Sequence, residues 1–190
     1  IKASNSGNYD FHLALHSNAA PKGEEGTRQG VEVYYFPYSP SGEKMAEVIA
    51  ENYQHIYPNP ELIKILPTTS LGEVDRTKAP SVLLETAYHD NSYDANWILE
   101  NIDAIARSLA LSLTEYFNIP FQEPMPPAEG TVVTQWGSLN LRNLPNIHSE
   151  ILATLPRGAD VIVFGMDGNW AKVLYNGILG FADKNYIRII

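Results

Sequence analysis

Two short stretches carry residue types able to do hydrolytic chemistry. In Leu13-Ala14-Leu15-His16-Ser17-Asn18-Ala19-Ala20 an alternating apolar run ends in a histidine followed by small polar residues. In open α/β sheets ligands collect beyond the carboxyl ends of strands, so His16 is placed to face a site and to offer an imidazole to a metal. The second stretch, Val82-Leu83-Leu84-Glu85-Thr86, ends an apolar run in a carboxylate. Burial there would raise its proton affinity and suit it to take a proton from water and pass it to a leaving amine. Taken alone, each residue reads more readily as structure: His16 as a hydrogen-bonding strand end, Glu85 as a paired or loop-capping carboxylate. With no cysteine in the chain, any metal must be held by His, Asp or Glu.

The elements that must position these residues follow from periodicity. Phe11 to His16, Val31 to Phe36, Ile63 to Leu66 and Ser81 to Glu85 read as strands, the last apolar enough to be buried on both faces. Ser41-Gly42-Glu43-Lys44 opens a helix to about Tyr57, with Met45, Val48, Ile49 and Ile56 on one stripe and Pro58 beyond its end. Asp94 to Tyr116 reads as one long amphipathic helix with Ile98, Ile102, Ile105, Leu109 and Leu113 inward. Strands alternating with helices imply an α/β sheet flanked by helices.

Residues 119–129, part of a stretch with four prolines that ends in Gly130, mark a stiff linker between two domains. Beyond it, runs at Gly130–Val133, Leu139–Arg142, Ile151–Leu155, Asp160–Gly165, Trp170–Tyr175 and Gly177–Ala182 are short and evenly spaced, the pattern of a small all-β barrel over residues 130–190. Trp136, Trp170 and Tyr175 are its candidates for an aromatic binding surface, although Trp170 reads first as a core residue.

Composition excludes several classes. A net charge of −9, from 13 Lys and Arg against 22 Asp and Glu, argues against nucleic acid as a partner. No apolar run reaches the ~18 residues a membrane helix needs. The opening residues, Ile1 to Asp10, have neither the basic start nor the apolar core of a signal peptide, which points to a native start upstream.

Order and strand context tie the two chemical stretches together. His16-Ser17-Asn18, Gly30-Val31-Glu32-Val33-Tyr34-Tyr35-Phe36 and Pro80-Ser81-Val82-Leu83-Leu84-Glu85 resemble, in that order, the His-x-Asn, glycine-tyrosine and Pro-x-Val-Leu-x-Glu segments of the type 3 zinc-dependent N-acetylmuramoyl-L-alanine amidases. The resemblance covers about Phe11 to Phe117, as the C-terminal part of a catalytic domain in residues 1–118 whose N-terminal strands are missing. It implies zinc bound by His16, catalysis by Glu85, and peptidoglycan as substrate, in a secreted or cell-wall-associated bacterial protein. Bound zinc would hold a water and polarise the lactyl amide carbonyl while Glu85 serves as base and then acid. The family's other zinc ligands, an earlier His and Glu, would precede Ile1; Glu24, Glu25 and His89 are the substitutes within the chain. A sheet lacking its first strands should expose apolar surface and self-associate.

One departure stands at the strand end: Thr86-Ala87-Tyr88-His89-Asp90-Asn91 replaces the family's usual Gly-Phe-Leu-Ser-Asn. It brings His89 and Asp90 near the cleft. Asn18, His89 and Trp136 are accordingly the substrate-binding candidates. Residues 130–190 resemble bacterial SH3-like domains, through Ser138-Leu139-Asn140-Leu141-Arg142 and Gly177-Ile178-Leu179-Gly180-Phe181 among others, which implies a wall-binding module. Two further readings stay open: a wall-binding protein whose amidase-like part no longer catalyses, and a related zinc hydrolase acting on another peptide amide.

Overall fold

A computed structural model describes residues 1–123 and 126–190, so Pro124 and Met125 of the suggested linker lie outside the described residues. The chain divides into two compact units, Ile1–Phe121 and Gln122–Ile190.

The first unit opens with a short helix, α1 (Lys2–Ser6), and contains strands β1 (His12–Asn18), β2 (Val31–Tyr35), β3 (Ile63–Pro67) and β4 (Ser81–Tyr88) in the order β1-β4-β2-β3. β1 runs parallel to β4 and β2 parallel to β3, while β2 is antiparallel to β4, so the sheet is mixed. β4 is central, and Glu85 is its one residue that is not fully buried. β1 forms an edge, with Leu15 exposed. Helix α2 (Pro40–Tyr53) begins just before the expected Ser41 and ends short of the expected Tyr57: Ser39 Oγ accepts from the Gly42 N–H at 3.1 Å and Pro40 occupies the first turn.

The helix read from Asp94 to Tyr116 is two helices, α4 (Ser92–Glu100) and α5 (Ile102–Tyr116). The break falls at Asn101, whose side-chain amide donates to the Trp97 carbonyl at 2.8 Å. A short polar side chain that bonds the preceding turn competes with helix continuation. The periodicity also misplaced one residue: Ile102, expected inward, is exposed.

One sheet face packs against α2, α4 and α5 through Val31, Val33, Val82 and Leu84 on the strands and Met45, Ile49, Tyr53, Trp97 and Leu109 on the helices. Each fully buried aliphatic side chain there contributes about 1.5–3 kcal/mol relative to an exposed one. The opposite face holds a smaller cluster, Ala14, Leu83 and Val74, the last from the short helix α3 (Gly72–Asp75). Beyond that cluster, toward the carboxyl ends of β1 and β4, this second face turns polar.

The second unit is a seven-stranded antiparallel sheet of β5 (Ala128–Val132), β6 (Ser138–Arg142), β7 (Ile151–Pro156), β8 (Asp160–Asp167), β9 (Trp170–Tyr175), β10 (Ile178–Asp183) and β11 (Ile187–Ile189). Its order is β11-β5-β8-β9-β10-β6-β7, around a core that includes Leu141, Leu155, Val163 and Val173. The sequence runs account for the first six strands; β11 was not read. Ala128 and Glu129, assigned to the linker, belong to β5, where they pair with Val163 and Ile162.

Candidate functional site

The register of the first unit brings its chemical residues together. His16 on β1 and Glu85 on β4 are partners in the parallel ladder, and Glu32 on β2 is the antiparallel partner of the same Glu85. Strand neighbours lie about 4.8 Å apart, so three ionisable side chains share one small area of the sheet's polar face.

Their surroundings differ. Glu85 Oε2 is buried with no hydrogen-bond partner. Burial, reinforced by the neighbouring Glu32, pushes the Glu85 carboxyl above its ordinary range, with His16 and His89 pulling the other way. A carboxyl so placed exchanges a proton nearer neutrality than a surface glutamate does. Glu32, by contrast, accepts three hydrogen bonds: from Tyr34 Oη at 2.6 Å and Asn18 Nδ2 at 3.0 Å on Oε2, and from Tyr88 Oη at 3.2 Å on Oε1. Burial and the bond to Glu32 raise the Tyr34 phenol well above its usual range, so it remains a donor.

His16 Nε2 lies 3.0 Å from Glu73 Oε2 of α3, and both side chains are substantially exposed. Asn18 is engaged at both ends of its amide, donating to Glu32 and accepting from the Ala19 N–H at 2.9 Å. His89 Nδ1 is 3.1 Å from the Ser17 carbonyl and 3.0 Å from Ser17 Oγ. A carbonyl only accepts, so the contact places a proton on Nδ1 and leaves Nε2 as the ring nitrogen facing outward.

Asp90 does not face the cleft as a reacting group. Its Oδ2 accepts from the Ala20 and Gly26 N–H groups at 3.1 and 3.0 Å, pinning the loop between β1 and β2. Asn91 adds a bond to the Gly26 carbonyl at 2.7 Å and caps α4. The Tyr88-His89-Asp90-Asn91 departure thus builds a loop anchor. Deeper still, the fully buried Asp94 accepts from Tyr57 Oη, the Gly30 N–H and the Tyr88 N–H at 2.7, 3.1 and 3.0 Å. Gly30 is required at the start of β2: its φ is +119°, and a Cβ there would lie 2.5 Å from the Leu62 carbonyl oxygen.

Among the described residues no group of three or more His, Cys, Asp or Glu side chains is gathered for a metal ion. Glu24 and Glu25, the in-chain substitutes suggested above, are instead used locally, Glu24 on Arg28 and Glu25 on the Gly23 N–H. The residues present fit one corner of a zinc shell, His16, and not the whole of it.

Residues 1–115 match the family described as N-acetylmuramoyl-L-alanine amidase, and residues 137–188 match the bacterial SH3 domain family. The chain belongs to the N-acetylmuramoyl-L-alanine amidase family. Its amidase unit is similar to the catalytic domain of the CD27L endolysin targeting Clostridia difficile, at 26% identity and a TM-score of 0.50, over 64% of this chain and 61% of that one. It shares its fold with the amidase CwlV of Bacillus (Paenibacillus) polymyxa var. colistinus, at 21% identity and a TM-score of 0.52, over 63% of this chain and 64% of that one. The same holds for the amidase AmiC2 of Nostoc punctiforme, at 21% identity and 0.51, over 62% and 63%. The chain therefore spans about three-fifths of the length of these solved structures. No curated protein matches it.

The SH3 unit carries a surface groove of about 520 Å³, lined among others by Trp136, Asn140, Arg142, Trp170 and Tyr186. Trp136 is 89% exposed, while Trp170 is half-buried at the groove's wall. Tyr175, read as a third member of an aromatic surface, instead packs against the core, and Tyr186 takes that place. Sequence reasoning missed Glu32, Glu73 and Tyr186. Glu32 left a signal, a charged residue alternating with valines in Val31-Glu32-Val33; Glu73 and Tyr186 lie in helical segments of four and three residues, too short for a periodic pattern, and left none.

Proposed function

We propose that this chain is the wall-hydrolysing part of a peptidoglycan amidase, cutting the amide between N-acetylmuramic acid and L-alanine. The observation that supports it most directly is the unpartnered, buried oxygen of Glu85 beside His16 at the carboxyl ends of β1 and β4, in a sheet of the amidase family. Glu85 takes a proton from water as the water oxygen adds to the lactyl carbonyl carbon. It then returns that proton to the alanine nitrogen as the carbon–nitrogen bond breaks, so acid and amine leave with no net proton change. His89, with Nε2 outward, and Asn18 border this position and are proposed to help seat the substrate.

Zinc is the cofactor that family membership brings to this reading. His16 is the imidazole present to bind it, and completing the shell needs donors beyond those gathered in the described residues. The SH3 unit, with Trp136 standing in its groove, is proposed to hold the enzyme on peptidoglycan at the cell wall, outside the cytoplasm, and so to raise the local concentration of cleavable bonds. Among the described residues no helix is long and apolar enough to cross a membrane.

A second reading, a wall-binding protein without catalysis, is favoured by one observation: His16 Nε2 is already bonded to Glu73. Elemental analysis of the dialysed protein, together with digestion of isolated sacculi, separates the two. Bound zinc that is lost in His16→Ala, with new alanine amino termini appearing as muramyl lactyl groups are freed, supports the amidase. Retained sacculus binding without metal or new termini supports the second reading. Amino termini on a residue other than alanine would identify a different peptide amide as the substrate.

A further inference from the structure

The ladder between β1 and β4 is regular from His12–Ser81 to His16–Glu85 and then shifts, so that Asn18 pairs with Tyr88 across a bulge. A bulge leaves a residue unpaired and loosens the strands where it sits. Here it falls immediately after the His16–Glu85 pair, at the place where a proton-transferring carboxyl needs a fixed neighbour. The backbone bond from the His89 N–H to the Asn18 carbonyl, 2.8 Å, is the contact that resumes beyond it.

Both residues of the shifted pair send a side-chain donor to the same carboxylate on a third strand. Asn18 Nδ2 donates to Glu32 Oε2 and Tyr88 Oη to Glu32 Oε1, while Tyr34 Oη, two residues along Glu32's own strand, fills the remaining position on Oε2. Asn18 cannot turn away without also giving up the Ala19 N–H held by its Oδ1. Glu32 is in addition the register partner of Glu85. One carboxylate on β2, the neighbour of β4, therefore ties together the two strand ends that carry the site. Bonds to a charged acceptor are about twice as strong as neutral ones, which suits this side chain to replace the ladder bonds that the bulge removes.

We propose that Glu32 is a positioning residue: its carboxylate clamps the ends of β1 and β4 beyond the bulge and so fixes Glu85 against His16, an inference that rests on the amidase reading of that pair. Glu32 touches neither water nor substrate in this role. Its effect passes through the strands.

Glu32→Gln tests this with little change of volume. The amide offers one accepting oxygen and a nitrogen that must donate, so at least one of the three donors loses its partner. Amide hydrogen exchange of the full chain is the readout independent of turnover. The His89 N–H should exchange roughly tenfold faster or more, while Val33 and Leu84, in the regular stretch of the sheet, keep their protection. With peptidoglycan as substrate, kcat/KM should fall about tenfold or more, with the loss carried mainly by kcat because Glu85 is released from its fixed place, and any rise in KM coming through the loosened Asn18 and His89. Tyr88→Phe, which removes only the phenol oxygen, should show the same contrast at smaller size, and it decides the matter if Glu32→Gln does not fold. Unchanged His89 exchange, or protection lost uniformly across the sheet, overturns the clamp. A wild-type protein that turns over no peptidoglycan sinks the amidase reading instead, and the contrast between His89 and Leu84 still decides the clamp by itself.

Discussion

The two units of this chain use polar residues in opposite ways. Of the buried polar or charged residues among those described, Asn52, Ser81, Thr86, Asp94, Ser108 and Ser112 lie in the amidase unit and only Thr134 in the SH3 unit. The amidase unit builds polar networks into its interior and at its strand ends, where each group needs a partner or becomes reactive for lack of one. The SH3 unit keeps an aliphatic core and places Trp136, its proposed recognition residue, almost wholly in solvent. Chemistry and stability are therefore coupled in the first unit and separable in the second.

The sharpest test is Glu85→Gln. If Glu85 moves the proton, activity on sacculi should fall by about 10²–10⁴-fold. The melting temperature should hold or rise slightly, because the amide avoids the penalty of a desolvated carboxylate. Activity within a few-fold of wild type would remove Glu85 from the mechanism. Stability loss with retained specific activity would assign it a structural role.

Next come the cores. Leu84→Ala in the amidase unit and Leu155→Ala in the SH3 unit each truncate a fully buried side chain and should cost about 2–5 kcal/mol. The consequences differ, because a unit of about 70 residues holds only a few kcal/mol in reserve. Calorimetry should show Leu155→Ala abolishing one transition while Leu84→Ala only lowers the other. A single transition shifted equally by both would mean that the units melt as one. Asp94→Ala belongs with these by size: it strands the Gly30 and Tyr88 N–H groups and the Tyr57 hydroxyl, at about 1–3 kcal/mol for each donor left dry.

The same contrast explains what could be read from the sequence. Strands and their faces were legible in both units, because alternation is local: Val31 and Val33 are buried just where period two puts them. His16 and Glu85 were legible as strand-end residues, but their pairing depends on a parallel register set by residues about 70 positions apart, which no local pattern reports. Glu73 reaches His16 from a four-residue helix with no periodicity, and β11 is three residues long. The single helix expected over Asp94–Tyr116 failed at Asn101 for a local reason, a side chain bonded to its own preceding turn, that apolar spacing does not register. Asp90 looked like a cleft residue because of where it stands; its backbone partner Ala20, like the Gly26 carbonyl bonded by Asn91, lies about 65–70 positions earlier in the chain.

Trp136→Ala probes the separable side of the comparison. Removing a side chain that is 89% exposed should leave stability within about 0.5 kcal/mol. Aromatic anchors of binding surfaces carry about 2 kcal/mol or more each, so sacculus pull-down affinity should weaken roughly thirtyfold. Soluble muropeptides, which need no tethering, should be cleaved as before. Undiminished sacculus binding would take Trp136 out of the wall-binding surface, and an equal loss on soluble substrate would mean that the SH3 unit acts on catalysis itself.

The smallest effect is expected where a carboxylate of the amidase unit holds only a loop. The bond from the Gly26 N–H, with help from Ala20, keeps the Asp90 carboxyl below its ordinary value of 3.8. A group whose folded value is depressed stabilises above the unfolded value and loses that contribution as pH falls through the folded one. The clamp should therefore be complete at neutral pH and open only below about pH 4. By amide exchange, Ala20 and Gly26 should lose protection together on acidification, ahead of Leu84 and Val33 in the sheet. Asp90→Ala should abolish the protection at every pH. Protection of Ala20 and Gly26 that persists in Asp90→Ala would show that other contacts hold the loop, and that the replacement of the family's usual strand-end sequence has some other purpose than anchoring it.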